Sequence, residues 1–187
     1  MKTKYALIAF AVTALAQLFI PARMVYSNHI VETEGIVYKF RAEPVDPADP
    51  FRGRYITLNF VADTFAIANF YDEGEAVYAL LGKDADGFAK IKNVTFTVPK
   101  SGDYIKVDKW SYYKYFKTLN LELPFDRYYM EESKAPEAEL LYAEYLRDNT
   151  KALPAYGEVA VKDGNAVLKR VIINGMPVEE YVQQNRP

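Results

Sequence analysis

The chain has 187 residues, half of them hydrophobic and 15% aromatic, with a formal net charge of −2. That is enough for one compact domain plus a hydrophobic anchor, and it lacks the strong basic field that nucleic-acid binding requires. There is no cysteine and one histidine, His29, which excludes disulfides, thiolate metal sites, cysteine catalysis and multi-histidine metal sites, and argues against a histidine triad.

Residues 5–20 read YALIAFAVTALAQLFI, uncharged and preceded by Lys2 and Lys4. This is a targeting segment, and two readings of it compete. Ala14-Leu15-Ala16 has the small-x-small form of a signal-peptidase site, with cleavage near Ala16 and a secreted or periplasmic product. The preferred reading is a permanent anchor over residues 1–26, followed by a linker at 27–34 and one domain at 35–187, with extension of the helix through residues 22–33 as the alternative to a linker. Sixteen helical residues span only about 24 Å against a hydrocarbon core of roughly 30 Å. Residues 21–25 close that gap, with Arg23 reaching up to the headgroups. Residues 5–25 then lie in the membrane, with the N-terminus cytoplasmic and the domain outside.

Past the anchor, Gly35 to Arg41 alternates as a strand does, with Ile36, Tyr38 and Phe40 on one face and Val37 and Lys39 on the other. Residues 44–50 carry three prolines and are loop. Alternation resumes from Arg54 to Phe60, where Tyr55, Thr57 and Asn59 oppose Ile56, Leu58 and Phe60. Residues 61–72 read equally as a short helix or a bulged strand. Ala76 to Lys83 and Phe88 to Val98 form a hairpin around a turn at Asp84 to Gly87. A turn at Ser101-Gly102-Asp103 leads into an alternating stretch from Tyr104 to Trp110. An aromatic cluster follows (Trp110, Tyr112, Tyr113, Tyr115, Phe116), then Leu119 to Phe125.

The clearest helix covers residues 135–148. Ala138, Leu141, Tyr142, Tyr145 and Leu146 make one apolar face, Pro136 suits its first turn, and Glu137 and Glu139 suit its positive end. Tyr156 to Lys162 and Ala166 to Ile173 make a hairpin around Asp163-Gly164. Asn174-Gly175 turns the chain into a short closing segment at Val178 to Val182. The expected fold is β-rich α+β: an antiparallel sheet, folded as a sandwich or a partly open barrel, with one prominent helix and a hydrophobic helix in front.

Candidate binding residues fall in two places. Asp46, Asp49, Arg52, Gly53, Arg54 and Tyr55 belong to a loop dense in proline, acid and arginine. The leading reading of this loop is structural wiring: Asp-Pro turns, with arginines paired to aspartates. Contact with a ligand stands behind it, and a hard cation held with Glu43 behind that. Trp110 and Tyr113 represent the aromatic cluster, whose readings are core, contact platform or membrane interface. Ser101 and Lys106 have the residue types of a serine–lysine pair, but their spacing on a turn and strand does not bring them together. No catalytic set, cofactor motif or metal-ligand set stands out.

The run Asp46-Pro47-Ala48-Asp49-Pro50-Phe51-Arg52-Gly53-Arg54-Tyr55-Ile56-Thr57-Leu58-Asn59-Phe60 resembles the GDYXXLXY family of bacterial membrane-anchored proteins. Gly53, Tyr55 and Leu58 match the name, while Arg54 replaces its aspartate and Phe60 its last tyrosine. Ile20 to Met24 resembles the family's post-anchor segment, Leu123 to Glu132 its strand before the acidic helix, and Gly157 to Gly175 its closing hairpin. The resemblance implies an envelope location and a multi-spanning membrane protein as neighbour, and it implies no catalytic residues. The expected function is a non-enzymatic, membrane-anchored binding or accessory module that contacts an integral membrane partner through residues 44–60. The rival readings are a carboxylate-dependent hydrolase built on Asp46, Asp49 or Asp103, and an envelope ligand sensor with a pocket near residues 110–116.

Overall fold

A computed structural model describes residues 2–43, 55–67, 76–130, 135–147 and 153–185. The first element, α1 (Lys2–Glu34), is a single helix of 33 residues containing Pro21. Its mean hydropathy reaches 1.9, and none of that apolar stretch is buried against the rest of the chain. Thr13 folds its hydroxyl back to the carbonyl of Ala9 at 3.0 Å, so its polar group is satisfied within the helix. Residues 27–34, expected as the linker, are the last turns of this helix. At about 1.5 Å per residue, α1 is roughly 50 Å long, longer than a hydrocarbon core of about 30 Å.

One residue, Gly35, separates α1 from β1 (Ile36–Glu43). The helix end is fastened to β11 (Tyr156–Lys162) and β12 (Asn165–Ile173). Val31 is 3% exposed. Lys162 pairs with the Glu34 carboxylate, and Lys169 Nζ donates to the carbonyl of Glu32 at 3.0 Å. That lysine satisfies one of the carbonyls a helix leaves open in its last turn, where a cation is favoured. Gly35 permits a close approach: a Cβ there would collide with the Val31 carbonyl oxygen and lie 3.1 Å from Val161 N and O.

The remaining strands are β2 (Tyr55–Thr57), β3 (Asn59–Phe60), β4 (Thr64–Ala66), β5 (Val77–Lys83), β6 (Ala89–Thr95), β7 (Tyr104–Val107), β8 (Trp110–Tyr113), β9 (Thr118–Leu121), β10 (Arg127–Tyr129) and β13 (Met176–Pro177). All the pairings between them are antiparallel. The largest sheet runs β13-β12-β11-β1-β3, with smaller sheets β6-β5-β7, β4-β9-β8 and β10-β2. The fold is thus α+β and strand-rich, built from several antiparallel sheets with no closed barrel.

The alternation expected along β1 holds, since Tyr38 and Phe40 are buried while Lys39 is exposed. Ile36, expected on the buried face, lies exposed beside the helix junction. Ile56, Leu58 and Phe60 all enter the core. The stretch they share is split, because β2 pairs with β10 and β3 pairs with β1. Leu58 N donates to Asp126 O at 2.8 Å between the two, so the chain crosses from one sheet to another within six residues. Residues 61–63 form a turn of 3-10 helix and 64–66 are strand, while 68–72 lie outside the described residues. The expected Tyr104–Trp110 run breaks after Val107, where the chain changes sheets, and only 119–121 of the expected Leu119–Phe125 run is strand.

Phe40, Phe60 and Phe125 stack edge-on or tilted with centroids 4.9–5.8 Å apart. Packing of this kind adds about 0.5–1.5 kcal/mol per pair beyond the area buried. One cluster of buried side chains draws on every sheet and on two short helices, α2 (Ala135–Arg147) and α3 (Val178–Gln184). Helix α2 buries Ala138, Tyr142 and Tyr145 as its apolar periodicity predicts. The closing segment is helical, with Val178 and Val182 buried one turn apart. Both Asp163-Gly164 (φ 49° and 82°) and Asn174-Gly175 (φ 52° and 80°) take left-handed backbone, the conformation a tight hairpin turn demands of its central residues.

Candidate functional site

At the end of β1 away from α1, the sheets leave an open cleft of about 480 Å³. Its walls come from the β2–β3 crossover (Leu58, Asn59, Phe60), the 3-10 turn (Asp63), the β7–β8 connection (Lys106, Asp108, Lys109) and the stretch from Asn120 to Arg127. The crossover explains why a cleft forms: β2 and β3 commit to different neighbours, so the sheets diverge there.

Charge lines this cleft in pairs. Lys106 Nζ lies 2.7 Å from Asp108 Oδ1, Lys109 Nζ 3.4 Å from Glu122 Oε2, and Arg127 Nε 3.9 Å from Asp126 Oδ1. Asp108 holds the Lys106 ammonium more firmly in its charged form. Asp63 stands apart as the lining acid with no basic partner among the described residues. Burial first, and then the Glu43 carboxylate nearby, push its pKa up to about 6. A half-buried acid with a like-charged neighbour resists ionisation, so it is the group here best suited to receive a cationic or hydrogen-bond-donating moiety. Among the described residues no three acidic or histidine side chains are grouped as metal ligands would be.

One rim carries the aromatic part of the site. Tyr55 packs on its cross-strand partner Tyr129, with ring centroids 5.5 Å apart. Arg127 lies over the Tyr55 ring at 5.2 Å. Hydrogen bonding to Tyr129, then the charge of Asp126, raises the Arg127 pKa. Arg127 therefore joins the cleft wall to the aromatic rim. Tyr128, pointing the other way, donates to Glu179 Oε1 of α3 at 2.5 Å, which ties the ribbon's inner face down. Burial, then that carboxylate, raise the Tyr128 pKa.

Of the residues singled out from the sequence, Asp46, Asp49, Arg52, Gly53 and Arg54 lie outside the described residues. Tyr55 is at the rim. Trp110 is half-buried against the core and pairs with Leu121, so it adjoins the cleft between the lining residues Lys109 and Leu121. Tyr113 is at the far end of β8 and does not meet the other two. The cleft is not lined by residues 110–116. Asp103 also lies away from it, accepting a hydrogen bond from Tyr38 Oη at 2.7 Å. Burial and that carboxylate push the Tyr38 hydroxyl up to about 12. Lys106 is engaged by Asp108 and not by Ser101. Sequence reasoning missed Asp63, Arg127 and Tyr129, whose convergence depends on β2 pairing with β10. The one local hint was Asp63 as the single charge in the run from Val61 to Ala66.

The family motif divides its labour in this geometry: Leu58 and Phe60 fill the core, while Tyr55 faces outward under Arg127. Comparison with curated proteins and with solved structures gives no match. Comparison with family models gives one spanning residues 17–171, described as GDYXXLXY protein. That match covers most of α1, all the cleft-lining residues and the rim, and the chain belongs to the GDYXXLXY protein family.

Proposed function

We propose that this protein is a binding module held on the outer face of a bacterial inner membrane by α1, and that it engages an integral membrane partner through residues 44–60 and the adjoining rim. The observation that carries the reading is the junction. A helix exposed along its whole apolar length meets the sheet through Gly35 alone and is fastened by Val31, Glu34 and Lys169. Such a joint fixes the attitude of the domain relative to the helix. It holds the Tyr55–Arg127–Tyr129 rim at a fixed place on the far side of the sheet from the helix, and tethering raises the effective concentration of a membrane partner that reaches it. The lysines at positions 2 and 4 favour a cytoplasmic N-terminus.

Affinity capture of the full chain from solubilised membranes tests this. Integral membrane protein should co-purify with the unchanged chain and be lost from a variant combining Arg52→Ala, Arg54→Ala and Tyr55→Ala. Equal recovery with both chains would exclude the 44–60 segment as the contact. Protease added outside spheroplasts should remove the domain; full protection would reverse the topology.

A further inference from the structure

The hairpin joining β8 and β9 ends in Lys114-Tyr115-Phe116-Lys117. Tyr115 is 92% exposed and Phe116 71%, and the rings meet edge-to-face at 5.2 Å and 87°. Two adjacent aromatic rings held in water lose the hydrophobic stabilisation that burial would bring.

The exposure does not come from a slack turn. Phe116 N donates to Tyr113 O at 3.1 Å, and Thr118 Oγ1 donates to Phe116 O at 3.1 Å. Lys117 takes left-handed backbone with φ 51°, and its carbonyl accepts from Ile67 N at 2.9 Å beyond the end of β4. The hairpin is therefore fastened to the neighbouring strand while its tip projects two rings. Tyr113, also largely exposed, extends the aromatic surface back along β8.

Charge says what such a tip would meet. The chain as a whole carries −2, yet the tip has two lysines and no acid from Trp110 to Leu121. Aromatic rings flanked by lysine match the chemistry of an anionic bilayer surface. The rings settle at headgroup depth, and each ammonium is attracted to acidic lipid within a Debye length of the surface. Chain direction also bears on this. Strand β3 runs antiparallel to β1, back toward the end of β1 that joins α1, and β4 then pairs with β9 so that Ala66 lies opposite Thr118 beside the tip.

We propose that the tip Lys114–Lys117 is a lipid-contacting finger, a second attachment of the domain to an anionic membrane surface. The proposal rests on α1 being the first attachment. Because the joint already fixes the domain to α1, a second point of rest on the finger would restrict the rotation and tilt of helix and domain together in the membrane.

The absence of native cysteine makes a direct test available. The full chain carrying Tyr115→Cys, labelled from outside with an impermeant environment-sensitive dye, is reconstituted into phosphatidylcholine vesicles with or without phosphatidylglycerol. A chain labelled at Lys90→Cys, an exposed site on β6, serves as reference. In anionic vesicles the dye at 115 should shift to the blue and be about fivefold less quenched by iodide than the dye at 90; high salt, or Lys114→Glu with Lys117→Asn, should abolish that difference. Asparagine keeps the left-handed turn accessible. Equal quenching at both sites, in protein that still floats with the vesicles, would overturn the finger and leave the anchor standing. Protection that ignores lipid charge and grows with protein density would identify a second copy of the chain as the occupant and also overturn it. Failure of the unchanged chain to float would remove the anchor, and the finger with it.

Discussion

The two ends of β1 are built on opposite terms. At the end next to α1 the contacts are close: Val31 is buried, a Cβ at Gly35 would meet backbone, and the Glu32 carbonyl and the Glu34 carboxylate both have lysine partners. At the other end the sheets part, a cleft opens, and Asp63 has no basic partner among the described residues. The first end is packed and the second leaves a charged, open surface. The difference arises from strand pairing. Near α1, β1 has a continuous partner in β11 over six residue pairs, whereas its last two residues pair with the short β3.

The contrast can be broken most forcefully in the core between the ends. Phe40 is fully buried and packs on both Phe60 and Phe125. Phe40→Ala should lower unfolding stability by about 3–5 kcal/mol, read from denaturant midpoints. A smaller loss would mean that the three-ring cluster relaxes around the gap.

Next in size is the junction itself. Gly35→Ala places a methyl against the Val31 carbonyl and beside Val161, and should cost about 1–3 kcal/mol. Hydrogen exchange should quicken in the last turn of α1 and in the end of β11 that faces it. An unaffected junction would show that the helix end is not locked to the sheet.

The cleft should behave in the opposite sense. The folded-state pKa of Asp63 is pushed up to about 6, above the ordinary value near 4. The folded chain therefore binds this proton more tightly than the unfolded chain does. Ionising Asp63 costs stability between pH 4 and 6, and the penalty is fully present above that window and absent below it. Asp63→Asn should thus stabilise the protein at pH 7.5 by on the order of 1 kcal/mol, allowing for the screening a half-exposed group receives, with the gain vanishing near pH 4. A loss at neutral pH would mean that the carboxylate has a stabilising partner.

Much of the fold was legible from local pattern. The Asp163-Gly164 and Asn174-Gly175 turns, the α2 face and the alternation of β1 and of 55–60 follow from dihedral preference and side-chain period, which neighbouring residues determine among themselves. Tyr104–Trp110 was read as one stretch because period two persists while the chain changes sheets. Residues 22–33 read from sequence either as more helix or as a linker, and it is Lys162 and Lys169, brought to the helix end by β11 and β12, that hold the helical choice.

By itself, then, the sequence determined the apolar helix, the strand-rich class, the hairpin turns and the family, because each is a property of short segments or of their order. Only the tertiary structure decided that Asp63, Arg127 and Tyr55 share one rim and cleft, that Trp110 adjoins it, and that Tyr113 belongs to a different surface. Those outcomes depend on which strand pairs with which, and strand pairing is a long-range choice that no local period encodes.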